Sequence, residues 1–213
     1  SLHTAVLTKL AAICLRGAKM SRPLPWETVA VIGLGTVGHL AARVHAVSGA
    51  RVIGVDTLPA RADALRRAGI EAVVAAPDSI AKAVRAVLPN GADIVVDATG
   101  FDGAANQAAL IARETGRDDT PEVPARYLVQ GSYPESVAFP YIPAFHRELT
   151  VLFSRDTRPQ DLRDVLDLLR RGKLNLQGVL GQPFAPTDAP QVYADLQARK
   201  GDLLTAAFQW SPE

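Results

Sequence analysis

Residues 28–56, TVAVIGLGTVGHLAARVHAVSGARVIGVD, constrain this chain more than any other stretch. A β-branched run, Val29–Ile32, leads into a glycine-rich turn. Next comes a segment with Val37, Leu40, Ala41, Val44 and Val47 on one helical face, then a second apolar run, Arg51–Val55, closed by Asp56. The order predicts strand, turn, helix, strand and acid: one βαβ unit. Gly33, Gly35 and Gly38 form G-x-G-x-x-G directly after the first strand and at the start of the helix. Gly33 is expected to allow a tight turn, Gly35 to let a pyrophosphate approach the backbone, and Gly38 to let helix and strand pack closely. The free amides of Thr36 and Val37 would point at the phosphates, where the helix dipole favours negative charge. Asp56 lies 18 residues beyond Gly38. There it would accept hydrogen bonds from adenosine ribose hydroxyls and repel a 2′-phosphate, which favours NAD over NADP. An S-adenosylmethionine site can also join a glycine turn to an acid, but the spacing here fits a pyrophosphate better.

The same alternation continues. Strand-like runs fall at 72–75, 93–96, 127–130 and 148–153, mostly Val/Ile-rich without clean alternation, as suits strands buried on both faces of a parallel sheet. Predicted helices include 4–19, one capped by Asp78 or Ser79, an alanine-rich one near 103–113, and one with a Thr157/Gln160 capping box and an apolar face of Leu162, Val165, Leu166 and Leu169. The expected fold is α/β: a Rossmann, doubly wound, six-stranded parallel sheet with a C-terminal strand–helix–strand appendage. Residues 1–26 read as a leading helix and linker, 27–174 as the nucleotide domain, and 175–213 as a tail that the sheet does not need. The 116–124 segment, GRDDTPEVP, is the most loop-like. Ligands meet an open parallel sheet at the carboxyl ends of its strands. This nominates Asp97-Ala98-Thr99-Gly100, Gly131-Ser132 and Phe153-Ser154.

Composition excludes other classes. Lys and Arg number 23 against 22 Asp and Glu, so no basic excess argues for nucleic acid. No apolar stretch reaches the ~18 residues of a membrane span. A single cysteine, Cys14, rules out an internal disulfide and fits a reducing compartment, the cytoplasm. A catalytic constellation is not legible. His39 and His45, six apart on one helix, would project about 120° apart and not chelate one metal. His39, near the start of that helix, is a candidate to touch cofactor. His3 and His146 have no ligand partner at a metal spacing, and His146 reads as a surface residue. No tyrosine has a lysine four residues on, and no G-x-S-x-G elbow exists. No metal site is expected from these residues.

The arrangement resembles the medium-chain dehydrogenase/reductase superfamily, in particular its zinc-type alcohol dehydrogenase group. LTKLAAICLRGAKM (7–20) followed by ETVAVIGLGTVG (27–38) is similar to that family's entry into its nucleotide domain. So are VIGVDTLPARADALRRAGIEAVV (52–74), GADIVVDATG (91–100), YLVQGSY (127–133) and ELTVLFSRD (148–156). Residues 172–210 resemble its C-terminal signature, and 127–151 the branch with bacteriochlorophyllide-, sorbitol- and threonine-type dehydrogenases.

The resemblance implies an NAD(H)-dependent oxidoreductase acting on an alcohol or polyol, with Arg61 touching the adenosine ribose. Ala98, Thr99 and Gly100 would line the nicotinamide side. It also implies a homodimer paired through strand 148–153 and a small-molecule substrate. The family's zinc ligands lie in an N-terminal GroES-like domain, which has no counterpart in these 213 residues. The tail would pack on such a domain, and zinc would enter only with it. Leu204 stands where the family often has a basic residue. A non-catalytic dinucleotide-binding module, or a zinc-independent reductase completed by a partner chain, remain as alternatives.

Overall fold

A computed structural model describes residues 2–101, 103–115, 123–198 and 203–210. Most of the GRDDTPEVP loop and the side chain of His3 lie outside that set. The strands are β1 (Thr28–Ile32), β2 (Arg51–Asp56), β3 (Glu71–Val74), β4 (Ile94–Asp97), β5 (Arg126–Val129) and β6 (Thr150–Phe153). They form one parallel sheet in the order β3-β2-β1-β4-β5-β6. This is the doubly wound order with its reversal between β1 and β4. The helices are α1 (Leu2–Ser21), α2 (Thr36–Ala46), α3 (Pro59–Arg67), α4 (Ile80–Val87), α5 (Ala104–Ile111), α6 (Tyr141–His146), α7 (Pro159–Arg170) and α8 (Ala189–Gln197).

Each face of the sheet carries its own core. On one face α1, α2 and α7 bring Leu7, Ala11, Cys14, Leu40, Val44 and Val165 against Val29, Val31, Val96 and Leu128. On the other, α4 and α5 bring Ile80, Val84, Ala108 and Ile111 against Ile32, Ile53, Val95 and Tyr127. Burial on both sides is why β1 and β4 read as unbroken apolar runs. Cys14 is fully buried, and desolvation pushes its thiol up to about 12, so it behaves as a small apolar residue.

Several local expectations need correction. β6 starts at Thr150, because Glu148 has φ 46°, a left-handed conformation that no strand accommodates. α6 is absent from the predicted helices; Pro143 falls in its first turn, where no N–H is needed. The helix after β6 begins at Pro159, not behind Thr157. The amide of Arg158 donates to Asp161 Oδ2 (2.8 Å), so Asp161 caps the helix in place of the Thr157/Gln160 pair. Leu166, assigned to the apolar face of α7, is 54% exposed, and Leu168 packs inward instead. In the tail, α8 forms as expected, but the flanking strands shrink to single bridges, Gln177 with Leu180 and Phe184 with Phe208. Gly181 and Pro183 interrupt the run that would have extended them.

Candidate cofactor site

The glycine turn sits at the carboxyl end of β1, beside the topological reversal. Gly33 has φ +83° and donates its amide to the carbonyl of Val55 (2.8 Å). A side chain there would stand 2.9 Å from Thr99 Cγ2. At Gly38 a Cβ would fall 1.7 Å from the Gly33 carbonyl oxygen, so only glycine lets α2 approach the turn this closely. Gly35 differs from both. It has φ −71°, and a Cβ there would meet only the Arg61 guanidinium at 3.9 Å. The space in front of Gly35 is open, and α2 begins at the next residue, so its first-turn amides, including Thr36 and Val37, have no intrahelical acceptor.

Asp56 ends β2 and is 8% exposed. Its Oδ2 accepts the Leu34 amide (2.6 Å) and its Oδ1 accepts the Leu58 amide (2.8 Å). The carboxylate therefore fixes the glycine turn as well as carrying charge. Each oxygen keeps a further lone pair for a ligand hydroxyl. Arg61 Nη1 lies 3.8 Å from Asp56 Oδ2. Arg61 is held in turn by His39, whose Nε2 is 3.1 Å from the Arg61 carbonyl. His39 is fully buried and so does not face the open space in front of Gly35. Desolvation first, then the nearby Arg43, lower its pKa to about 4, leaving a neutral ring that donates from Nε2. His45 is also fully buried and lowered to about 4 by desolvation. It packs between the Ala41 carbonyl and the Ser21 hydroxyl. His146 is exposed on α6.

The second part of the site is the crossing of the loops after β4 and β5. Gly100 has φ +61°, and a Cβ there would lie 2.6 Å from the Ser132 carbonyl; a Cβ on Gly131 would lie 2.6 Å from the Gly100 nitrogen. Two backbones touch at this point. Beneath them is Asp97, fully buried. Its Oδ1 accepts the Thr99 amide (2.9 Å) and hydroxyl (2.7 Å). Its Oδ2 accepts the phenols of Tyr127 (2.6 Å) and Tyr133 (2.5 Å). Burial, then the Asp97 carboxylate, push the Tyr127 pKa far upward, so that phenol stays a donor. Tyr133 also lines a cleft of about 190 Å³ with Phe101, Gly103 and Glu135.

Of the residues nominated from sequence, Gly33, Gly35, Thr36, Val37, Gly38, Asp56 and Arg61 come together at one point. Ala98, Thr99, Gly100, Gly131 and Ser132 adjoin them through the contact between Thr99 and the Gly33 position. Ser154 stands past the end of β6, its hydroxyl buried without a partner. Tyr127, Tyr133 and Leu34 were not nominated. Tyr127 and Tyr133 reach Asp97 across 30 and 36 residues of chain, a separation that no motif announces. The tail also reaches the site: the Thr36 hydroxyl donates to the carbonyl of Leu204 (2.5 Å). Among the described residues no three His, Cys, Asp or Glu side chains converge as a metal site. No helix among them is long and apolar enough to cross a membrane.

A family model described as zinc-binding dehydrogenase matches residues 36–171. The chain belongs to the zinc-binding dehydrogenase family. A probable D-xylulose reductase A of Arthroderma otae is 27% identical over 207 residues, covering 94% of this chain and 56% of the relative. D-xylulose reductase A of Aspergillus oryzae is 25% identical, with 94% and 56% covered. The chain thus spans just over half the length of these curated relatives. Among solved structures, alcohol dehydrogenase TADH from Thermus sp. ATN1 superimposes with a TM-score of 0.80 at 23% identity, over 94% of this chain and 58% of that one. The 2R,3R-butanediol dehydrogenase of Bacillus subtilis does so with a TM-score of 0.77 at 17% identity, over 93% and 55%. An Escherichia coli alcohol dehydrogenase (rspB) complexed with NADH gives 0.79 at 17% identity, over 95% and 57%. These likenesses establish the fold.

Proposed function

We propose that this chain is the NAD(H)-binding part of an alcohol- or polyol-dehydrogenase-like oxidoreductase. The observation that carries the reading is the contrast within the glycine turn. Gly33 and Gly38 are filled by the protein's own backbone and side chains, whereas Gly35 faces open space beside free helix amides. That is the shape a pyrophosphate needs. The bound nicotinamide would supply the hydride acceptor or donor. This chain's residues would do the holding. The Thr36 and Val37 amides take the phosphates, and Asp56 with Arg61 takes the adenosine ribose. Ala98, Thr99, Gly100, Gly131 and Ser132 wall the nicotinamide side, with Ser154, its hydroxyl buried, as a further candidate past the end of β6. Asp56 disfavours a 2′-phosphate, so the cofactor is NAD(H). The relatives' names support a small polyol or alcohol as substrate, with the hydride moving to or from its carbinol carbon.

In this reading residues 27–174 are the cofactor unit, 1–26 its lead-in, and 175–213 a tail that meets a catalytic domain. Zinc would require ligands from outside the described residues, and none of the steps assigned here uses it. The exposed edge of β6, with Phe153 60% exposed, supports a homodimer paired across a two-fold axis. The buried lone thiol suits the cytoplasm. The test is a fluorescence titration with NADH. Binding is expected, with Asp56→Ala weakening it. Tighter binding of NADPH than of NADH by the unmodified chain would overturn the assignment.

A further inference from the structure

We propose that the cleft between α1 and the β6–α7 connection binds an organic anion, an oxyanion group carried on an apolar or aromatic body. The cleft holds about 430 Å³ and is lined by Arg16, Met20, Phe153, Arg155, Asp156, Thr157 and Arg158. Three arginines therefore line one space. Among the described residues none of the three makes an ion pair or donates a hydrogen bond. Arg51 and Arg147, by contrast, are paired, with Glu71 at 2.8 Å and with Glu114 at 2.5 Å.

The carboxylates nearby are already engaged. Asp156 Oδ1 accepts Lys9 Nζ and the Thr157 amide, both at 2.7 Å, and Arg155 reaches it at longer range. Asp161 accepts Lys19 Nζ at 2.6 Å on one oxygen and the Arg158 amide at 2.8 Å on the other, and Arg16 reaches it only at longer range. Like charges gathered in a cleft repel one another, and an oxyanion bridging two guanidinium forks removes that repulsion. The rest of the lining selects what carries the anion. Phe153 and Met20 offer an aromatic face and a pliant thioether, which a bare inorganic ion would leave unused.

The lining includes none of the glycine turn, Asp56, Arg61 or the loops after β4 and β5; it adjoins the NAD(H) reading only at the end of β6, where Phe153 and Arg155 flank Ser154, and competition with NADH separates the two. Pairing of β6 with a second copy would use the backbone of 150–153 and so reach Phe153, whereas the three arginines come from outside that range.

Calorimetric titrations with phenyl phosphate, benzoate, inorganic phosphate and benzyl alcohol test it on the full chain. Phenyl phosphate or benzoate is expected to saturate one site, and the tighter of the two tells whether the group preferred is phosphate or carboxylate. Inorganic phosphate should bind more weakly and benzyl alcohol not at all. An Arg155→Gln/Arg158→Gln double variant should weaken the organic anion by roughly tenfold or more. Arg16→Gln, on a different element, should shift it in the same direction, so the test survives if either variant folds poorly. Affinity unchanged in the folded variants, or benzyl alcohol binding as well as benzoate, would overturn the proposal. So would an anion displaced by NADH yet indifferent to the arginines, because it would lie at the glycine turn.

Discussion

The two halves of the cofactor site are built in opposite ways. The glycine turn with Asp56 and Arg61 draws mainly on residues 33–61, with Thr99 and Leu204 reaching it from outside. The crossing of the loops after β4 and β5 depends on a buried carboxylate, Asp97, that gathers donors from Thr99, Tyr127 and Tyr133. The first half is a steric device that glycine alone permits. The second is a polar network that works only when every member is present. Substitutions should therefore act differently in the two.

The largest effect is expected at Gly38. Alanine there would place a carbon 1.7 Å from the Gly33 oxygen, which nothing nearby can relieve without moving α2 from β1. Gly38→Ala should lose both NADH binding and several degrees of melting temperature, read by calorimetry. In the other half, Asp97→Asn turns an acceptor oxygen into a donor facing hydroxyl donors. About 2–3 kcal/mol of stability should go, measured by urea unfolding. Tyr133→Phe, which removes one donor and keeps the ring, should cost about 1 kcal/mol.

Acid should loosen α2, the helix that opens at the glycine turn. His39 and His45 both lie on α2, each lowered from 6.5 to about 4. Between those values the unfolded chain binds protons that the folded chain does not. The stability from keeping the rings neutral is thus complete above pH 6.5 and drains away as pH falls toward 4. For His45 the amount is on the order of 3 kcal/mol. Melting temperature should fall across that window, and His45→Gln should flatten the slope. The smallest effect is outside the site: Asp161→Ala should cost about 1 kcal/mol as a lost cap, whereas Thr157→Ala should cost close to nothing.

The same difference explains what the sequence discloses. The turn was legible because each glycine answers a local steric demand, and the strands because burial on both faces imposes unbroken apolar runs. The Asp97 network was not, because Tyr127 and Tyr133 become its partners only after β4 and β5 pair. That His39 and His45 share one helix was legible, but the burial of His39 behind Arg61 depends on how α2 packs against α3. The cap of α7 was misplaced because Thr157 and Gln160 match the pattern one residue early, and only the backbone at Arg158 decides between them.

Gly35→Ala tests the account most directly. The residue has φ −71° and open space where its Cβ would go, so alanine should fit the protein without strain. An unchanged or slightly raised melting temperature is expected together with a large loss of NADH affinity in a fluorescence titration. Unaltered NADH binding by a folded Gly35→Ala protein would contradict it.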